Sequence, residues 1–142
     1  MKAVLQRVTK AKVSVAGETV GEISRPGIVA LIGVSTEDSE ADAIWTARKI
    51  AELRIMREEK SVEDLNSPIL VISQFTLYGD AKKGRRPSWS KAAPGPIAEP
   101  LVDWVASELR VRGLEVATGQ FGADMAVELT NDGPFTILLD SP

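Results

Sequence analysis

Ile28-Val29-Ala30-Leu31-Ile32-Gly33-Val34 is a nearly unbroken apolar run that follows the turn pair Pro26-Gly27. Such a run, bounded by a turn signal, reads as a central strand of a sheet. The residues before it alternate instead. Val4, Gln6 and Val8 alternate with Leu5 and Arg7, and Val13 and Val15 with Lys12 and Ser14. Gly17-Glu18 marks a turn, followed by strand-like Val20-Gly21-Glu22-Ile23. On the far side, Ser39 is placed as an N-cap with acidic residues close by. Ala43, Ile44, Ala47, Ile50 and Ala51 then form one stripe at helical spacing.

Further out, Leu53 to Met56 reads as a short strand continuing from this helix, and Glu58 to Pro68 as a polar loop. Ile69-Leu70-Val71-Ile72 is a second buried strand, ending in Ser73-Gln74-Phe75-Thr76. A long loop covers Tyr78 to Pro96. A helix from Ile97 to Arg112 sets Leu101, Val105 and Leu109 on one face and stops at Gly113. Three short strands close the chain, around Leu114–Thr118, Met125–Leu129 and Phe135–Leu139, with Asn131-Asp132-Gly133-Pro134 as a turn between the last two. The expected fold is α+β: one domain over residues 1–142, a mixed, barrel-like sheet with two packed helices.

Two absences restrict the chemistry. The 142 residues include no Cys and no His. Without Cys there is no disulfide framework and no thiolate nucleophile. Without His there is no Ser–His–Asp triad and no usual transition-metal ligand. No metal and no cofactor is expected. The net charge of −3 argues against non-specific coating of nucleic acid. A local basic patch exists all the same: Lys82, Lys83, Arg85, Arg86 and Lys91. No apolar run is long enough to span a membrane. The opening Met1–Arg7 segment reads as neither a signal nor a transit peptide, so a cytoplasmic protein with no membrane partner is expected.

Three segments can carry function. Ser73-Gln74-Phe75-Thr76 either presents polar groups to a site at a strand end or satisfies turn amides with its hydroxyls. Asn131-Asp132-Gly133-Pro134 is either a plain hairpin connection or a place where backbone approaches a ligand closely. The loop from Lys82 to Lys91, with Trp89, is either a phosphate-contacting patch with a stacking aromatic or a solvated loop with Trp89 tucked into the core. Gly79 and Gly84 have the spacing of phosphate-loop glycines. Arg85-Arg86 follows instead of Lys and a hydroxyl residue, which rejects a triphosphate loop. Trp45 and Trp104 read as core or interface anchors.

Taken together these segments resemble the D-aminoacyl-tRNA deacylase family over nearly the whole chain. Leu5-Gln6-Arg7-Val8 is similar to the family's opening. Ser73-Gln74-Phe75-Thr76-Leu77 matches its first signature and Asn131-Asp132-Gly133-Pro134 its second. Gly84-Arg85-Arg86-Pro87-Ser88-Trp89 resembles its basic loop, and Phe121-Gly122-Ala123-Asp124-Met125 its approach to the second signature. The chain departs at Glu58–Pro68, which lacks a Gly-Lys-Met-Asn type segment. It departs again at Phe135, where a smaller β-branched residue is expected.

The resemblance implies a homodimer that hydrolyses the ester between a D-amino acid, or glycine, and tRNA. It implies a cis Gly133–Pro134 peptide reaching into the partner's site beside Ser73, Gln74, Phe75 and Thr76. Arg7 and Asn131 are expected on the substrate side, with Arg7 holding the Gly-Pro loop. Lys82, Lys83, Arg85 and Arg86 are expected to meet tRNA phosphates, which positions RNA without reading its sequence. A rigid backbone wall can exclude an L-configured side chain by clash while accepting many D-residues. Amide groups near Phe75 and Thr76 are natural donors to the oxyanion. With no His, substrate-assisted hydrolysis is preferred over Ser73 or Thr76 as nucleophile. Three rivals stand: a non-catalytic module that binds RNA ends, a general serine or threonine esterase, and a purely structural dimer, which leaves the two signatures unexplained.

Overall fold

The computed structural model describes residues 1–142. Six strands and three helices follow the order β1 (Lys2–Val15), β2 (Glu18–Ile23), β3 (Gly27–Gly33), α1 (Glu40–Glu52), α2 (Val62–Leu65), β4 (Ile69–Ser73), α3 (Gly95–Val111), β5 (Val116–Thr118) and β6 (Ala126–Asp140). Short 3-10 turns lie at Arg57–Glu59 and Phe75–Tyr78. The α+β reading holds, with three helices where two were expected.

The apolar run at Ile28 becomes β3, and β3 is the middle of the sheet. The order is β2-β1-β3-β4-β5, and β6 pairs along β1. β3 is antiparallel to β1 but parallel to β4, as β4 is to β5, so the sheet is mixed. Alternate residues of β3 serve different cores. Ile28, Ala30 and Ile32 face a large cluster with Ala43, Ala47 and Ile50 of α1 and Leu101, Val105 and Leu109 of α3. Val29 joins a smaller cluster with Val8, Val13, Ile23, Leu70 and Ile72. Both faces of β3 and β4 are thus covered, which is why their sequences do not alternate. The sheet curls until its far strands nearly meet. A Cβ on Gly21 of β2 would collide with the Thr118 carbonyl of β5, so only glycine allows this approach.

The helix signals act as read. Ser39 caps α1: its amide donates to the Asp42 carboxylate at 2.8 Å. Gly113, at φ +85°, follows the end of α3. Arg112 at that end reaches Glu52 of α1 at 3.1 Å and Glu63 of α2 at 2.8 Å, tying the three helices together.

Three expectations are corrected. Leu53–Met56 is not a strand. Its main chain pairs with no neighbouring strand, and Ile55 and Met56 are buried by packing instead. Within Glu58–Pro68 the chain forms α2, held by a capping box in which Asp64 and Ser61 exchange hydrogen bonds of 2.9 and 3.0 Å. The third correction bears on the site. Asn131-Asp132-Gly133-Pro134 is not a hairpin turn between two strands. It lies within one long strand, β6, whose pairing with β1 shifts register on either side of Val8–Asn131.

Candidate active site

The end of β4 delivers the first polar segment. Ser73 is the last residue of the strand, and Phe75–Tyr78 turns away in a 3-10 coil. The Gln74 amide donates to the Ile32 carbonyl at 2.7 Å, pinning the turn to β3. The Phe75 and Thr76 amides open the coil, so they have no carbonyl of that coil to donate to. No loop or turn carbonyl accepts from either of them. The Gln74 side-chain amide donates to the Thr76 hydroxyl.

Ser73, Gln74 and Phe75 line a cavity of about 430 Å³. Ala98 and Val102 of α3 form one wall, and the segment Phe121–Met125 forms another. Asp124 is the only lining residue with an ionisable acid or base. Tyr78 stands next to the segment, and burial first, then the Asp38 charge, pushes its phenol up to about 12. It stays neutral near pH 7 and cannot serve as a base. No three acidic side chains stand close enough together to hold a metal ion.

The basic loop folds back over this end of the sheet. Asp80 and Ser88 exchange backbone hydrogen bonds of 2.8 and 2.9 Å and close it. Trp89 is not tucked into the core. It is 43% exposed and meets the 56%-exposed Phe75 ring edge-on, with centroids 5.2 Å apart. Lys82, Lys83, Arg85 and Arg86 are all exposed, and none is in an ion pair. Lys91 instead lies 3.9 Å from Asp80. Trp45 is half-buried and Trp104 is 36% exposed, so neither is a core anchor.

The second segment stands elsewhere. The Gly133–Pro134 peptide is cis, with Gly133 at φ +132°. Arg7 is the centre of its surroundings. Arg7 is buried, not facing solvent. Its Nε donates to the Asp132 carbonyl at 3.0 Å, and Nη1 to the Ile55 carbonyl at 3.3 Å. Its guanidinium lies 4.6 Å from the centroid of the Phe135 ring. The unexpected Phe135 therefore supports Arg7 by a cation–π contact. Asn131 spans the register shift, its side-chain amide donating to the Arg7 and Phe135 carbonyls at 2.9 and 3.1 Å. Arg57 closes the group. Its Nη2 and Nε fork onto the Asp132 carboxylate at 2.6 and 3.2 Å. That fork holds the Asp132 carboxyl below the ordinary range, with its partial burial opposing.

The two segments do not meet within one chain. Arg7 pairs with Ile28 at the start of β3, whereas Ser73 pairs with Ile32 near its end. Four residues of strand are about 13 Å. Gly133 and Pro134 are absent from the cavity lining, although both are exposed.

A family model, described as D-Tyr-tRNA(Tyr) deacylase, matches residues 4–140. The chain belongs to this family. The D-aminoacyl-tRNA deacylase of Beutenbergia cavernae is 60% identical over 99% of this chain and all of its own length. That of Kineococcus radiotolerans is 58% identical with the same coverage. Among solved structures, the c-Myc DNA Unwinding Element Binding Protein superposes with a TM-score of 0.91 at 42% identity, over 100% of this chain and 99% of its own. A probable eukaryotic D-amino acid tRNA deacylase shares the fold at 17% identity, with a TM-score of 0.86 over 97% of each chain. Within the family's frame, three contributors carried no signal in this chain's sequence reading. They are Arg57, the Ile55 carbonyl and the α3 wall, because each meets its partners only through the tertiary fold.

Proposed function

We propose that this chain is a D-aminoacyl-tRNA deacylase, a hydrolase that cuts the ester between a D-amino acid and tRNA and rejects the L-ester. The observation that carries the proposal is the Ser73–Thr76 turn. Two amides without turn partners stand beside an apolar cavity that holds no histidine and no buried base. Such amides stabilise the oxyanion of ester hydrolysis, and one donor of this kind is worth about 10²–10³ in rate. The terminal ribose of tRNA carries a hydroxyl next to the ester, so the substrate supplies part of its own chemistry. The protein positions the ester and holds the charge.

Gly133 and Pro134 form the chiral wall in this reading. Pro134 has little freedom in φ, and Gly133 presents no side chain, so rigid main chain can stand against the aminoacyl group. An L-side chain would collide with it, and a D-side chain points away. Glycine esters carry nothing to collide, so they are substrates as well. The wall belongs to the partner subunit of a homodimer. The separation of Gly133 from Ser73 within one chain supports this arrangement, as does the unpaired outer edge of β6, a surface that chains usually cover. Lys82, Lys83, Arg85 and Arg86 hold acceptor-end phosphates, and Trp89 with Phe75 offers an aromatic surface for a base.

The same geometry lends the covalent alternative no support. A hydroxyl nucleophile needs a group that accepts its proton. The Thr76 hydroxyl is met by an amide N–H donor, which takes none. Deacylation of D-tyrosyl-tRNA by Ser73→Ala and Thr76→Ala tests this. Rates within about tenfold of the unaltered protein are expected for both, since general-base assistance alone is worth about 10²–10⁴. Abolition of turnover in either variant, with a trapped aminoacyl-enzyme, would establish the covalent route and refute this one.

A further inference from the structure

We propose that Arg57 is a positioning residue for the chiral wall: by gripping the Asp132 carboxylate it sets where the adjoining Gly133–Pro134 peptide stands. The inference rests on the reading of Gly133–Pro134 as the wall, and it adds a residue from a different part of the chain.

Three observations support it. Arg57 approaches Asp132 with both Nη2 and Nε, at 2.6 and 3.2 Å, a two-point fork that fixes orientation as well as distance. Asp132 is the residue immediately before Gly133, and its other side is held by Arg7, through the carbonyl at 3.0 Å and the carboxylate at 3.5 Å. Asp132 is therefore gripped from two directions, once by a buried arginine and once by an exposed one. Finally, Arg57 is itself delivered by a strained turn. Glu58 and Glu59 both adopt the left-handed region, at φ +60° and +55°, although neither is glycine. Consecutive residues of this kind persist only where the surroundings hold them. The turn is closed by the Met56 amide on the Lys60 carbonyl at 2.8 Å and the Lys60 amide on the Arg57 carbonyl at 3.3 Å. Ile55, immediately before this turn, supplies the carbonyl that accepts from Arg7. One segment thus anchors both arginines that fix Asp132.

A purely structural tie would affect stability alone. A positioning residue changes the ratio of D- to L-ester hydrolysis. The test measures kcat/KM for D-tyrosyl- and L-tyrosyl-tRNA with the full chain and with Arg57→Gln, Arg57→Lys, Asp132→Asn and the double variant Arg57→Gln/Asp132→Asn. The Arg57 side chain is 66% exposed, so these variants are expected to fold, and circular dichroism checks that they do. The expected result is a D-to-L ratio lowered about tenfold to a hundredfold in Arg57→Gln, the effect of sub-ångström to ångström misplacement. Arg57→Lys, which keeps the charge but loses the fork, should recover part of it. The double variant should be no worse than Asp132→Asn alone, because both changes break one contact. An unchanged ratio in Arg57→Gln, with only the melting temperature lowered, overturns the positioning role and leaves the wall intact. An unaltered protein that shows no D-to-L preference overturns the wall itself, and the positioning role with it.

Discussion

Gly133→Ala should lower kcat/KM for D-tyrosyl-tRNA by about a hundredfold and erode the preference for the D-ester. Two features of the position lead to this. Its φ of +132° is one that residues with a Cβ rarely adopt. A Cβ there would also stand 2.9 Å from Nη2 of Arg7. Arg7 cannot swing away cheaply, because it is buried, bonded to the Asp132 and Ile55 carbonyls and seated on Phe135. The strand must therefore move, and Pro134 moves with it. A shift of about 1 Å at a positioning element costs on the order of 10² in rate. Parallel assays on D- and L-esters, at a temperature where the variant is folded, check the prediction. Full D-activity with full discrimination would show that Gly133 is not part of the wall.

The second large effect concerns the loop of four unpaired cations. If Lys82, Lys83, Arg85 and Arg86 each neutralise a phosphate, raising salt from 50 to 200 mM should weaken tRNA binding by about a hundredfold, the counterion-release slope for about four contacts. Replacing all four by Ser should weaken binding at low salt and flatten the salt response. The variant should retain its fold, since these side chains are exposed and make no ion pair. A steep salt response that survives the replacement would move the phosphate contacts to another surface.

These expectations rest on parts of the molecule that were not equally legible in the sequence. The strands β1 to β4 and the long helices were readable because each has one dominant apolar pattern. Ile28–Val34 could be placed centrally because both of its faces are buried. The short α2 was missed because four residues form no stripe; its one local signal was the pair Ser61 and Asp64 at capping-box spacing. β6 was misread for a physical reason. Asn, Asp, Gly and Pro in succession have turn chemistry. Here the Asn131 side chain takes over the Arg7 and Phe135 carbonyls where the ladder is interrupted, so the strand runs on through its own break.

The site was legible in the same uneven way. Ser73, Gln74, Phe75 and the four loop cations were identifiable as polar or basic clusters in sequence, and the fold gathers them at one end of the sheet. Thr76 lies in the same turn but does not line the cavity. Arg7 was only an ordinary strand arginine by local pattern, and burial among Asp132, Ile55 and Phe135 is what gives it a role. Asp132 lay in a segment with turn chemistry, but its partner Arg57, 75 positions away, had no local signal at all.

The most direct test of the account is deacylation of matched D-tyrosyl- and L-tyrosyl-tRNA by the purified protein. The account predicts rapid loss of the D-ester, with the L-ester decaying only at its uncatalysed rate. Equal loss of both would contradict the chiral wall, and loss of neither, with tRNA still bound, would contradict hydrolysis itself.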